Sequence, residues 1–348
     1  MQGKCGLFFT TYAGESGIFH TRFQKSCLSL FFVFLLAAPF FFSSYQVSLL
    51  NLINIAVIGA VSLNLLTGIC GQISLGHGAF IGVGAYASGV LTLNGWPFLA
   101  AVLAGSGVTA LVGMIFGIPS LRLKGIYLAI ATLAAQFILV YIFMHWSSMT
   151  GGATGMGLDS PVILGFSFDN DLKMFYLTLV FAVLAVTMVK NITRTRSGRA
   201  FVAIRDFHLS AESVGVDLFR YKLQAFGVSS FLAGLAGGLW AHYTMYITPE
   251  QFGINLSIQY LAMIIIGGLG SVLGSVFGAV FLTLLPEVLS FFADLLSNFY
   301  PNISTYFLAL RDGIFGLVLV LFLIFEPDGL ARRWQLIKAY FKQHPFAY

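Results

Sequence analysis

A chain of 348 residues that is 58% hydrophobic and 9% charged, with 36 phenylalanines and a mean hydropathy of +0.90, carries more apolar side chain than a water-soluble core of this size can hide; it is expected to be an integral membrane protein. A formal charge of +5 would suggest nucleic acid in a soluble protein, but in a membrane chain basic residues gather in cytoplasmic loops, so nucleic-acid binding is set aside. Cys5, Cys27 and Cys70 are odd in number, and two of them lie near or within apolar segments, which excludes a secreted disulfide framework and reads as free thiols.

A bilayer-crossing helix needs about 20 apolar residues, fewer where protein shields it. Ten stretches meet that measure in chain order: 28–45, 47–69, 78–93, 97–118, 126–146, 174–189, 223–247, 258–270, 274–296 and 314–325. The expected fold class is therefore an all-α polytopic membrane protein of about ten transmembrane helices. The first stretch follows basic residues as a signal peptide would. Ala37 and Ala38, however, lead into Pro39 and further Phe without a small-x-small cleavage site, so it is expected to remain as the first helix. Residues 1–27 then form a cytoplasmic N-terminal segment, 28–326 a single transmembrane domain with a cytoplasmic loop at 190–222, and 327–348 a cytoplasmic tail. This orientation puts 16 of the 18 basic residues inside, all but Lys173 and Arg311, and leaves Asp159, Asp169, Asp171 and Glu250 in outer loops. Trp96, Trp146 and Trp240, near span ends, fit interfacial aromatics and ordinary packing equally well.

Between the second and third spans the chain is crowded with Gly68, Gly71, Gly76, Gly78, Gly82, Gly84 and Gly89. Small residues four apart, such as Gly78 and Gly82, let helices approach closely. From Gly71 to Gly76 glycine also permits a broken helix, whose freed backbone groups must face protein or a water-filled cavity. Two readings stay open for Gln72, Ser74, Gly76, His77 and Gly78: packing and hydrogen bonding within the protein, or lining a translocation path.

The loop at 190–222 contains a short amphipathic helix in which Phe201, Ile204, His208 and Ala211 share one face; Gly215 can end it and Asp217 can cap the next helix. It is either a basic helix lying on phospholipid or a docking element that presents a knob to another protein. A second glycine bend follows at 267–281, where Gly267, Gly268, Gly270, Gly274 and Gly278 leave one helix face nearly free of side chains. Both bends carry Gly-x-x-Ser (Gly71 to Ser74, Gly268 to Ser271), which hints at two related halves. Inverted repeats would place equivalents on opposite sides, and these two fall on the same side.

The segments "GQISLGHGAFIGVGAY", "GRAFVAIRDFHLSAESVGVDLFRYKLQAF", "IQYLAMIIIGGLGSVLGSVFGAV" and "FEPDGL" closely resemble, in the same order, the LivM-type permease subunit of bacterial ABC importers for branched-chain amino acids. The resemblance runs from about residue 47 to 334. It implies the ABC importer permease fold, a second LivH-like permease, two cytoplasmic ABC ATPases and a periplasmic or lipid-anchored binding protein. It also implies that the stretch holding Gly198, Arg199, Ala200, Ala203, Ile204, Arg205, Ala211 and Gly215 is a coupling helix that seats in a cleft of the ATPase. Urea, amide or sugar permeases of the same family are the alternative.

No cofactor is expected on this chain. It has no Gly-x-x-x-x-Gly-Lys-Ser/Thr loop, so ATP would be hydrolysed by partners. His20, His77, His145, His208, His242 and His344 show no metal-ligand spacing with one another or with cysteine, so neither a metal nor catalysis is expected. A secondary transporter would need buried ion-coupling acids, and the deep candidate is Glu287 after Pro286, with Asp294 further out. Glu287 reads equally as a partner for Arg311 or as support for a helix break at Pro286. Purified alone, the chain is expected neither to bind nor to hydrolyse ATP; turnover by the isolated subunit, measured by phosphate release, would contradict this reading.

Overall fold

The computed structural model describes residues 22–120, 125–163, 165–297, 313–314, 316–322, 324–326 and 329–343. Cys5, His20, Arg311 and His344 lie outside these, as do most of the N-terminal segment, the end of the tail and the side chain of Asp294. The described residues are almost wholly helical, in chain order α1 (Arg22–Phe41), α2 (Ser44–Leu63), α3 (His77–Leu93), α4 (Phe98–Ser120), α5 (Ile126–His145), α6 (Asp171–Arg194), α7 (Arg196–Ser213), α8 (Leu218–Thr244), α9 (Ile254–Gly267), α10 (Val272–Ser297) and α11 (Gly329–Gln343). Two two-stranded pairings, Met156–Gly157 with Tyr246–Ile247 and Val162–Ile163 with Phe166–Ser167, tie the connecting segments.

Six described helices are long and apolar enough to cross a membrane: Ser44–Ile69, Phe98–Pro119, Ile126–His145, Asp171–Arg194, Leu218–Thr244 and Val272–Phe291. Apolar side chains project outward from several helices, among them Phe34, Ile115, Tyr127, Phe137 and Leu184. Such a band is stable only against hydrocarbon, which makes this an integral membrane protein. The first expected span is shorter than read, because Ser43 opens a new helix through a capping box with Gln46 (Ser43 N to Gln46 Oε1, 3.0 Å). Nor does Pro286 break its helix: α10 is continuous from Val272 to Ser297.

Two of the helices are short, 17 residues in α3 and 14 in α9, and begin in the interior. After Leu63, α2 continues as a π-helical turn, Asn64–Ile69; residues 70–76 then run without regular structure, and α3 starts at His77. The His77 ring lies 3.0 Å from the carbonyl of Gly59, ten residues before the end of that turn, so α3 begins about 15 Å in from the turn's end. The second case follows α8, which closes on Met245 in the left-handed conformation (φ 56°). Residues 245–253 turn back inward through the 3-10 turn Pro249–Phe252, and α9 begins beside the start of α3, with Gly78 N donating to Ser257 Oγ at 2.7 Å.

From this common depth α3 and α9 run to opposite ends. The far end of α3 meets α8 (Thr92 Oγ1 to His242 Nε2, 2.9 Å), whereas α9 ends near the π turn of α2 (Gly270 N to Asn64 Oδ1, 2.8 Å). The packing repeats the relation: α8 lies on α3 and α4, and α2 on α9 and α10. The breaks at 70–76 and 245–253 therefore lead into helices of opposite direction. The Gly-x-x-Ser bends at 71–74 and 268–271 meet at one end, so their likeness is compositional.

α3, α4 and α8 meet through small residues. A Cβ on Gly84 would overlap the backbone of Gly234, one on Gly237 would overlap the carbonyl of Ile81, and one on Gly105 would lie 2.9 Å from the amide nitrogen of Ser88. Gly107 on the same helix as Gly105 has nothing within 4 Å. Gly84→Leu is expected to lower the thermal midpoint in detergent by the equivalent of about 1–3 kcal/mol or more. Gly107→Ala is expected to be neutral or stabilising by up to about 1 kcal/mol. Equal midpoints for the two variants would contradict this packing.

Candidate functional site

The first turn of any helix leaves backbone N–H groups without intrahelical partners. For α3 these groups lie where neither water nor lipid can accept from them, and side chains of α5 and α9 meet them instead. Gly78 N donates to Ser257 Oγ (2.7 Å), Ala79 N to Gln136 Oε1 (2.9 Å) and, just before the helix, Leu75 N to Thr132 Oγ1 (2.9 Å). Ser257 Oγ in turn donates to Gln136 Oε1 (3.0 Å), and Gln136 Nε2 donates to the carbonyl of Phe252 (2.6 Å). One glutamine thus caps α3 and holds the segment that precedes α9.

His77 is buried, its ring hydrogen-bonded to the Gly59 carbonyl, 3.1 Å from Ser62 Oγ and edge-on to Tyr260. Gln72, Ser74, Gly76 and Gly78 are buried as well. A Cβ on Gly76 would stand 2.6 Å from the Thr132 carbonyl oxygen, and one on Gly78 3.0 Å from that of Gly253. Along the break Ile73 points outward at 42% exposure, while Gln72 Oε1 and Ser74 Oγ face inward without a hydrogen-bond partner. The five path residues named from the sequence therefore come together on the inner side of the break.

The second glycine bend is close-packed. Gly267 lies on the backbone of Gly274, Gly278 on the carbonyl of Met263, and Gly268 (φ 109°) and Gly270 (φ 81°) turn the chain between α9 and α10. Gly329, at the start of α11, rests on Gly268.

α7 lies at the same end. Thr195 caps it, its side chain accepting from Gly198 N. Gly198, Ala200, Phe201, Ile204 and Ala211 are buried, with Ala203 and His208 half-buried and Arg199 exposed. The helix is kinked at Phe207 (φ −157°, ψ 91°). It ends in a Schellman arrangement, Val216 N to Ala211 O and Gly215 N to Glu212 O, both 3.0 Å, with Gly215 at φ 86°. Asp217 then caps α8 by accepting from Arg220 N at 3.1 Å. Past the kink Phe207, Leu209 and Val214 stand 66%, 59% and 78% exposed. Arg205 turns back to the body, donating from Nη1 to the Gly68 carbonyl at 3.0 Å.

Sequence reasoning missed Gln136, Ser257, Thr132 and Asn64. Their signal was present: each is a polar residue inside an apolar run, where an unpartnered polar group is costly. Glu287 accepts from the Tyr45 hydroxyl at the start of α2.

An all-α polytopic membrane protein with two short helices that begin at buried breaks, joined by a network of buried polar side chains, is the architecture these residues define. The family described as "Branched-chain amino acid transport system / permease component" matches residues 45–323, and the chain belongs to it. The chain is 30% identical over 335 residues to the high-affinity branched-chain amino acid transport system permease protein LivM of Salmonella typhimurium, a match covering 88% of this chain and 75% of that protein. To LivM of Escherichia coli it is 29% identical over 332 residues with the same coverage, and to the autoinducer 2 import system permease protein LsrC of an Enterobacter species 30% identical over 236 residues, 64% of each. PsaBC from Streptococcus pneumoniae in complex with Fab superposes with a TM-score of 0.42 at 13% identity, over 85% of this chain and 96% of that one. The chain is thus a LivM-type permease component, a membrane transport subunit.

Gln136→Leu removes the acceptor of Ala79 N and the donor to Phe252 O. Each buried group so orphaned costs about 1–3 kcal/mol, so the variant is expected to unfold in detergent at a clearly lower temperature than wild type. A midpoint within error of wild type would show that the junction does not need this cap.

Proposed function

We propose that this chain forms part of the translocation path of an ATP-driven importer of branched-chain amino acids in a bacterial cytoplasmic membrane, with both of its termini in the cytoplasm. It would act with a second, LivH-like permease, two cytoplasmic ATPases and a periplasmic or lipid-anchored binding protein. The observation that carries this reading is the use α7 makes of its two faces. An amphipathic helix lying on phospholipid buries its apolar face in the bilayer, but here Phe201 and Ile204 are 1% and 4% exposed against the protein itself. The face left over presents Phe207, Leu209 and Val214, a small apolar knob of the kind that fills a pocket on a partner.

The path would run along the break at 70–76. There Ile73 offers an apolar contact, and Gln72, Ser74, Gly76, His77 and Gly78 hold the shape of the wall behind it. Such a wall suits an aliphatic side chain and discriminates weakly among substrates, which leaves selection to the binding protein. The LsrC relatives, permease proteins of an autoinducer 2 import system, support a second reading, a permease of the same family for a substrate other than an amino acid. Reconstitution with the ATPases in liposomes separates the two: leucine, isoleucine or valine with the binding protein is expected to stimulate turnover and uptake, and stimulation only by a substrate other than an amino acid would overturn the amino-acid assignment.

For the docking loop, Ala203→Trp is expected to strip the ATPases from the purified complex or uncouple uptake, because overpacking a fitted interface costs about 1–3 kcal/mol. Gly215→Val is expected to do so through its backbone, since a left-handed residue with a side chain costs about 1–2 kcal/mol. Full retention of ATPase copurification and uptake in both variants would return α7 to the lipid reading.

A further inference from the structure

We infer that Arg205 is the positioning residue through which α7 moves both helix bends, acting inside this chain and not as a contact to the partner; this rests on the docking reading of α7. Its guanidinium reaches the place where the two bends meet. Nη1 donates to the carbonyl of Gly68, in the π turn that ends α2, and a Cβ on Gly270 would lie 2.9 Å from the same nitrogen. The stem of the side chain covers Gly71, whose Cβ would stand 2.8 Å from Arg205 Cγ. Two glycines, Gly71 from the first bend and Gly270 from the second, therefore leave the room that one arginine fills, and Gly68 supplies the carbonyl it bonds.

Two further contacts make the joint directional. Asp206 accepts from Arg205 Nε at 2.9 Å and pairs with Nη2 at 2.9 Å, holding the planar group toward the bends. Asn64, in the π turn, accepts from Gly270 N at 2.8 Å, so the end of α2 and the α9–α10 bend are bonded to each other as well as to Arg205. Carbonyls at a helix C-terminus attract a cation, and this one belongs to the loop that the ATPase would push. A displacement of α7 thus acts on the 70–76 break through Gly68 and Gly71 and on the α9–α10 bend through Gly270, without any other part of the loop entering the membrane.

The test compares Arg205→Gln, Arg205→Lys, Asn64→Ala and the docking control Phe207→Glu in the complex with both ATPases, reading ATPase copurification, thermal midpoint and uptake per ATP hydrolysed. Arg205→Gln is expected to keep the ATPases bound while uptake per ATP falls about fivefold or more, the scale of a typical coupling energy. Arg205→Lys, which retains one donor, should recover part of the loss. Asn64→Ala should fall in the same direction, and the Arg205→Gln, Asn64→Ala double variant should be less than additive, as for residues in one network. The proposal is overturned if Arg205→Gln strips the ATPases as Phe207→Glu does, which makes Arg205 a surface contact. It is equally overturned if uptake per ATP stays at the wild-type value, or falls only in proportion to the thermal midpoint. Phe207→Glu leaving the ATPases bound would instead remove the docking reading, and this inference with it.

Discussion

A helix that starts inside the hydrocarbon region brings unpaired N–H groups to a place where no solvent can accept from them, and the fold is arranged around meeting that demand for α3. Gln136 and Ser257 supply the acceptors, and both must be held at fixed distance from Gly78 and Ala79. That requirement fixes α5 and α9 against the start of α3. It also explains the two small residues there: the carbonyls of Thr132 and Gly253 occupy the space a side chain at 76 or 78 would take. The glycines and the glutamine are thus two parts of one solution, close backbone approach and hydrogen bonds that only close approach permits.

The same constraint links the breaks at 70–76 and 245–253. The two short helices start at one depth, share the Gln136–Ser257 network and run to opposite ends, so Gln136 of α5 ties the start of α3 to the segment that leads into α9. A displacement of one half cannot leave the other untouched without breaking buried hydrogen bonds, and packed arrangements of this kind switch between discrete states instead of deforming smoothly.

Much of this was legible in the chain because it follows from local rules. Spans could be placed from apolar length, and the start of α3 at His77 fell within a residue of the expected 78. The buried face of α7 followed from 3.6-residue spacing at Phe201, Ile204 and Ala211, and its end from Gly215 and Asp217, whose roles depend on backbone geometry alone. Partner choice is a different matter. Nothing near Gln136 in sequence says that its acceptor faces Ala79, 57 residues away, or that Ser257 completes the pair. The Gly-x-x-Ser likeness of 71–74 and 268–271 could not decide for or against a repeat for the same reason: composition records how tightly a backbone bends but not which partner the bend has. Ser43, a single capping residue, moved a helix boundary that apolar length could not resolve.

The glycines at the α7 end do different work from those at the junction. Gly76 and Gly78 are small because backbone lies against them; Gly71 and Gly270 are small because an arginine does, and Gly68 because Asn64 and the Gly270 backbone do. An arginine at a membrane boundary is stable when its donors are used and its stem is covered, and Gly68, Asp206 and Gly71 meet those needs for Arg205. A larger residue at Gly71 would push the arginine outward and free the π turn from the loop, while leaving the Gln136–Ser257 junction intact, because no residue is shared between the two contacts. Stability of the break and communication with the loop are thereby separable within one glycine-rich stretch. In the proposed complex the two properties serve different ends, a wall closed to lipid and an end that follows the partner on α7.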